Sequence, residues 1–211
     1  MRHRTAFLAA GLAVMAYSVP AVCEADDPVE TLTQALEARI TVYRNPNGRV
    51  VHVRHCRASP QGCRARVAQL ARWIVEVAGE REVDHWVLAA MAVRESGLNP
   101  FAVGRAGERG VVQLHPQGSH TRGIAFVRSE NYRRRCARQP GACLREILDA
   151  GAQHLSQWVR RCGTLEAGLG GYNRGACGAT DYTVRVLRER ERLLRLVGRN
   201  AATPTPELAG G

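Results

Sequence analysis

Glu95 is the residue whose surroundings best suit proton-transfer chemistry. It stands in Glu95-Ser96-Gly97-Leu98-Asn99-Pro100, at the end of an apolar run that holds Val87, Leu88, Met91, Ala92 and Val93. A carboxyl at the C-terminal end of an apolar helix meets two effects that disfavour its charge: desolvation by its neighbours and the partial negative charge of the last helical carbonyls. An acid kept protonated near neutral pH can donate to a glycosidic oxygen, and its ionised form can take a proton back in a later step. By default, a lone glutamate at a helix end is a solvated surface carboxylate, and spacing alone does not assign it more. No partner carboxylate stands out: Glu108 falls on an expected loop and Asp149 on a helix, and both read as surface charges. The seven histidines, His115 and His154 included, show no H-E-x-x-H or other ligand spacing, and no C-x2-C pair occurs, so no metal site and no cofactor are expected.

The elements that must position Glu95 follow from periodicity and punctuation. Val67, Leu70, Ala71, Ile74, Val75 and Ala78 recur at helical spacing and predict a helix from Arg64 that Gly79 ends. Asp84 is the expected N-cap of the next helix, which reaches Glu95 and is stopped by Gly97 and Pro100. Residues 99–116 read as irregular chain or a small hairpin. Helical spacing returns over Cys143–Arg161, in a short helix after Thr164 and in a long one from Thr180. Arg133, Arg134 and Arg135 read as a solvated basic loop. Upstream, Asp27-Pro28 starts a short helix over Val29–Glu37. A small β-hairpin follows, Ile40–Tyr43 and Val50–Val53 about the turn Asn45-Pro46-Asn47-Gly48. Residues 200–211 are a frayed tail.

Composition bears on the compartment and on partners. Basic residues at Arg2 and Arg4, an apolar run over Ala6–Val19 and small residues up to Ala25 have the layout of a secretory leader over 1–25. The run is shorter than the roughly 20 apolar residues of a membrane span, so no stable span is expected after the leader is cleaved. Cys23 would leave with the leader, lipidation of Cys23 being the competing idea, and Cys56, Cys63, Cys136, Cys143, Cys162 and Cys177 remain. An even number of cysteines without zinc spacing favours disulfides and an oxidising compartment, periplasmic or extracellular. Sequential pairing into three bridges is one of the 15 connectivities open to six cysteines, suggested by the repeated spacing Cys56-x6-Cys63 and Cys136-x6-Cys143. The net charge of +11 comes from 30 basic residues, all of them arginine, so anionic envelope polymers are candidate partners. With aromatic content of 5% and no reading motif, specific nucleic-acid binding is not expected.

The stretch from Glu95 to Ala102, with Gly107-x-x-Gly110-x-x-Gln113-x-x-Pro116 behind it, resembles the catalytic domain of soluble-type lytic transglycosylases, a family-1 branch of the lysozyme-like superfamily. Gly170-Gly171-Tyr172-Asn173-Arg174-Gly175 and Asp181-Tyr182-Thr183-Val184-Arg185-Val186 are similar to later motifs of that family, in the same order, across about residues 65–195. The resemblance implies a mainly α, lysozyme-like helical domain over 64–199, preceded by an extension over 26–63 with the short helix and hairpin. It implies Glu95 as the catalytic acid and then base, with Gln113, Tyr172, Asn173 and Ser96 as substrate-binding residues. The substrate would be peptidoglycan glycan strands, cut without water to leave 1,6-anhydro ends. A water-using muramidase and a non-catalytic glycan-binding protein of the same fold are the alternatives. A Cys162–Cys177 bridge would enclose Tyr172 and Asn173. The sequence departs from the family pattern at Gly104, where serine is usual, at Val112, where methionine is common, and at His154, which takes a tyrosine position.

Overall fold

The computed structural model describes residues 27–42 and 62–201. Among them are eight α-helices: α1 (Pro28–Val42), α2 (Gly62–Glu80), α3 (His85–Ser96), α4 (Ala125–Arg128), α5 (Tyr132–Arg138), α6 (Pro140–Cys162), α7 (Leu165–Arg174) and α8 (Asp181–Ala201), with a 3-10 turn at Ser119–Thr121. The protein is mainly helical around one core.

At the centre lies α3, in which every residue from Val87 to Val93 is buried. A helix apolar all round cannot face water, so its neighbours must wrap it. α2 and α8 pack directly against it, α6 packs on α2 and α7, and α1 lies across α2 and α8. Leu32 and Leu36 of α1 join Ile74, Leu88, Met91, Ile147, Leu155 and Leu193 in that core. Arg39 of α1 makes a buried paired contact with Glu189 of α8, and removing one partner of such a pair typically costs about 3–5 kcal/mol because the other charge is stranded.

Several expectations are corrected. Ile40, Thr41 and Val42, expected to open a strand, form the last turn of α1. Once Leu32, Ala35, Leu36 and Arg39 bury along one face, adding a residue to an existing helix costs less than starting a two-stranded ribbon, and that outweighs β-propensity. The remainder of the expected hairpin lies outside the described residues, as do the leader, residues 202–211 and Cys56, and with Cys56 the expected Cys56–Cys63 bridge. Gly79 does not end its helix. α2 continues to Glu80, and the left-handed residue is Glu82 (φ 55°), where Val83 N–H reaches back to the Ala78 carbonyl at 3.0 Å. Arg133, Arg134 and Arg135 are exposed as expected but helical, within α5, because Tyr132 and Cys136 bury on the other face.

Among the described residues two disulfides join cysteines that follow one another along the chain, Cys136–Cys143 (Cα–Cα 5.3 Å) and Cys162–Cys177 (5.5 Å). The first clips α5 to the start of α6, where Pro140 occupies the first turn; the second closes a loop that contains all of α7.

Candidate active site

The position of Glu95 is set at both ends of α3. At the N-terminus the Asp84 carboxylate accepts from Trp86 N–H at 2.7 Å and also from the Arg190 guanidinium of α8 at 2.7 Å, tying the helix start to its neighbour. At the C-terminus Gly97 (φ 60°) and then Leu98 (φ 64°) turn left-handed, returning their N–H groups to the Val93 and Ala92 carbonyls at 2.9 and 3.1 Å. This Schellman-type ending satisfies the last carbonyls and buries Leu98. Ser96 lies beside Glu95, but its hydroxyl donates to the Val111 carbonyl at 2.8 Å and accepts from Asn99 N–H at 3.0 Å. It braces the turn and does not line the groove described below.

The segment after α3 folds back as a miniature antiparallel arrangement with bridges Val103–Arg109 and Arg109–Leu114. The Tyr132 hydroxyl donates to the Pro100 carbonyl, and Arg109 donates to the Val127 and Ser129 carbonyls, fixing the segment to α5 and α4. Gln113 sits at φ 49°, an uncommon region for a residue with a side chain, and its amide donates to the Gly110 carbonyl at 2.8 Å. Gln113 is thereby held with its side-chain oxygen toward Gly104. Glu108, read from sequence as a surface charge, is turned into the same space: a Cβ at residue 104 would overlap its Oε2 and come within 2.8 Å of Gln113 Oε1. Gly104 leaves room beside both side chains, and Glu108 Oε2 also accepts from Ala106 N–H at 3.1 Å.

The opposite wall comes from α6 and α7, with α8 packed behind α7. The Tyr172 hydroxyl donates to the Val112 carbonyl at 2.9 Å, linking α7 to the segment that carries Gln113. That close approach needs Gly151 of α6, whose Cβ would lie 2.6 Å from Val112 Cγ2. Thr164 caps α7 through Ala167 N–H, and Thr180 and Thr183 cap α8 reciprocally. Tyr182, in the first turn of α8, stacks on Tyr172 with ring centroids 6.4 Å apart.

Glu95, Gln113, Tyr172 and Asn173 thus come together from three separate parts of the chain. They line one groove of about 450 Å³ with Glu108, Leu114, His115, His120 and His154. Burial pushes the Glu95 carboxyl from 4.5 up to about 7, and the Glu108 charge adds to the rise. Tyr182, Arg185 and Arg94 act in the opposite direction. The buried Tyr182 hydroxyl is near enough to bias Glu95, yet it closes no hydrogen bond of regular geometry. Its own ionisation is pushed well upward by burial and by the Glu95 charge, as is that of Tyr172, so both phenols stay neutral. Asp149 is engaged by Arg81 at 2.6 and 2.8 Å and takes no part in the groove.

A larger hollow, about 600 Å³, lies along α8 and is lined by Arg94, Arg185, Arg188, Arg192, Arg195 and by Glu189, whose carboxylate is already engaged by Arg39. The Glu189 carboxylate is committed to that pair and the rest of the lining is mostly arginine, so size does not choose the site; the chemistry points to the groove with Glu95. Among the described residues no group of three or more His, Cys, Asp or Glu is placed to hold a metal ion, and no helix is long and apolar enough to cross a membrane.

Sequence reasoning missed Glu108, Tyr182, His120 and His154 as groove or near-groove residues. Glycine at position 104 was the available signal for Glu108, and the histidine at a tyrosine position the signal for His154. Residues 73–186, more than half of the chain, match the family model described as Transglycosylase SLT domain. No curated protein and no solved structure matches the chain.

Proposed function

From the premise that the chain belongs to the transglycosylase SLT domain family, which acts on peptidoglycan, we propose that it is a lytic transglycosylase cutting the β-1,4 bond between N-acetylmuramic acid and N-acetylglucosamine without water. The observation that carries this reading is the Glu95 carboxyl, held at the end of a buried helix in a sugar-sized groove with its proton affinity raised to about 7. Protonated Glu95 donates to the bridging oxygen as the bond to the anomeric carbon breaks, and the substrate's own acetamide stabilises the positive carbon. The carboxylate so formed then accepts the proton of the muramic acid 6-hydroxyl. That oxygen attacks the same carbon and closes the 1,6-anhydro ring. Glu95 ends as it began, protonated, and no water is consumed.

Gln113 and Asn173 offer amides at the groove wall for the N-acetyl groups, and Tyr172 gives it a rigid ring. Ser96 acts as a positioning residue through the turn after α3. The Cys162–Cys177 bridge limits how far the Tyr172 and Asn173 wall can move. Disulfides of this kind belong to an oxidising compartment, which supports export to the periplasm or cell exterior. The domain spans 64–199 in this reading, with α1 of the 26–63 extension built into its core.

A second reading, hydrolysis by a muramidase mechanism, draws support from one observation: Glu108 places another carboxylate in the groove, where it could direct a water. Digestion of purified peptidoglycan with mass spectrometry of the glycan ends separates the two. Anhydro ends, lighter by one water, are expected; reducing ends alone would replace the first reading with the second. Binding without any cleavage would make the protein a glycan-binding member of the family. Glu95→Gln is expected to abolish cleavage, and full activity in that variant would refute the assignment of Glu95.

A further inference from the structure

The groove has a second, unassigned feature in two of the histidines that line it with Glu95. His120, from the 3-10 turn, and His154, from α6, stack across it with ring centroids 3.8 Å apart and planes 17° from parallel. The seat is built on both sides. A Cβ at Gly118 would come within 2.5 Å of the His120 ring, so the imidazole lies close over that glycine. The buried Thr121 hydroxyl pins the turn to the His115 and Gly118 carbonyls at 2.9 and 2.8 Å. Trp158 Nε1–H donates to His154 Nε2 at 3.3 Å, which places the remaining His154 proton on Nδ1, and Tyr172 flanks the same ring at 5.2 Å. Burial, first, and the partner's charge hold His154 down at about 4; burial and His115 lower His120 as well, so the two rings stack neutral without repulsion at ordinary pH.

Beyond the pair lies another pocket of about 450 Å³, containing Arg122, Gln153, Gln157 and Trp158, and His120 and His154 line both pockets. The stack therefore stands between them, bridging the wall formed by the 3-10 turn and the wall formed by α6. We propose that the His120–His154 bridge closes one end of the catalytic groove and makes the protein act on glycan strand ends, releasing short units in preference to cutting within a strand. A groove open at both ends accepts a polysaccharide anywhere along its length. A groove crossed by a fixed bridge accepts only a chain whose last sugar stops there. The inference rests on Glu95 being the glycan-cleaving acid.

Uncrosslinked glycan strands of defined length, digested by the wild-type protein and sampled at low conversion, test it. The expected pattern is accumulation of the shortest products beside uncut full-length strands. His120→Ala and His154→Ala, compared at equal conversion after circular dichroism confirms their folding, are expected to shift the first products to a spread of intermediate lengths. His154→Phe keeps a flat ring on His120 and is expected to retain the wild-type pattern. Intermediate lengths from the wild type at the outset would overturn the inference, as would an unchanged pattern in the folded alanine variants or an alanine-like pattern in His154→Phe. The wild-type digestion stands by itself if an alanine variant fails to fold. A wild-type protein that cleaves nothing refutes the assignment of Glu95 itself, whereas cleavage with scattered lengths refutes only the bridge.

Discussion

Glu95→Gln should stabilise the fold by an amount that depends on pH, whatever it does to activity. In the folded protein the carboxyl holds its proton to about 7, against 4.5 for the same group in the open. Below 4.5 it is neutral in both states and the glutamate resembles an amide, so substitution has little electrostatic effect. Between 4.5 and 7 the unfolded chain has lost that proton while the folded one keeps it. The folded state binds more protons there, and stability falls as pH rises. Above 7 the full cost is present. At about 1.4 kcal/mol per tenfold change in proton affinity, the gap from 4.5 to 7 corresponds to about 3 kcal/mol, reduced toward about 2 kcal/mol by the groove's access to water. Urea unfolding of wild type and Glu95→Gln at pH 4 and pH 8 isolates the effect, because other titrating groups cancel in the difference. The variant should gain about 2–3 kcal/mol on the wild type in going from pH 4 to pH 8, or roughly 4–12 °C in Tm for a chain of this size. An equal difference between the two proteins at both pH values would refute the claim that Glu95 is desolvated.

The same proton affinity predicts that kcat/KM falls as pH rises through about 7, since only the protonated acid can donate. Glu108→Ala removes a like charge, lowers the affinity of Glu95 for its proton and should move that alkaline limb to lower pH; a limb that does not move removes Glu108 from the groove's electrostatics. Gly151→Ala forces a methyl group onto Val112 and should destabilise the fold by about 1–3 kcal/mol, read by thermal unfolding. Replacing Cys162 and Cys177 together by serine opens the loop around α7. It should cost about 3 kcal/mol on the chain-entropy view of a loop this long and lower kcat by loosening the Tyr172 and Asn173 wall, checked by denaturation and by turnover.

Local physics made much of this protein legible in its sequence. The apolar run Val87–Val93, the Asp84 cap and the Gly97 stop define α3 and put Glu95 at its end, because helix propagation and termination depend on residues within a turn or two of each other. Gln113, Tyr172 and Asn173 could be named from motifs that resemble a known family, though nothing local says that they meet. Tertiary structure alone decided the rest. Ile40–Val42 join a helix because a core face already carries α1 forward. The Ser96 hydroxyl turns to backbone because Val111 folds back over it. Glu108 turns toward Gln113 in the folded loop, where Gly104 leaves room and Ala106 N–H donates to its carboxylate. Desolvation is a property of what surrounds a group from every side, so the raised proton affinity of Glu95 and the stack of His120 on His154 depend on chain segments that sequence order keeps apart.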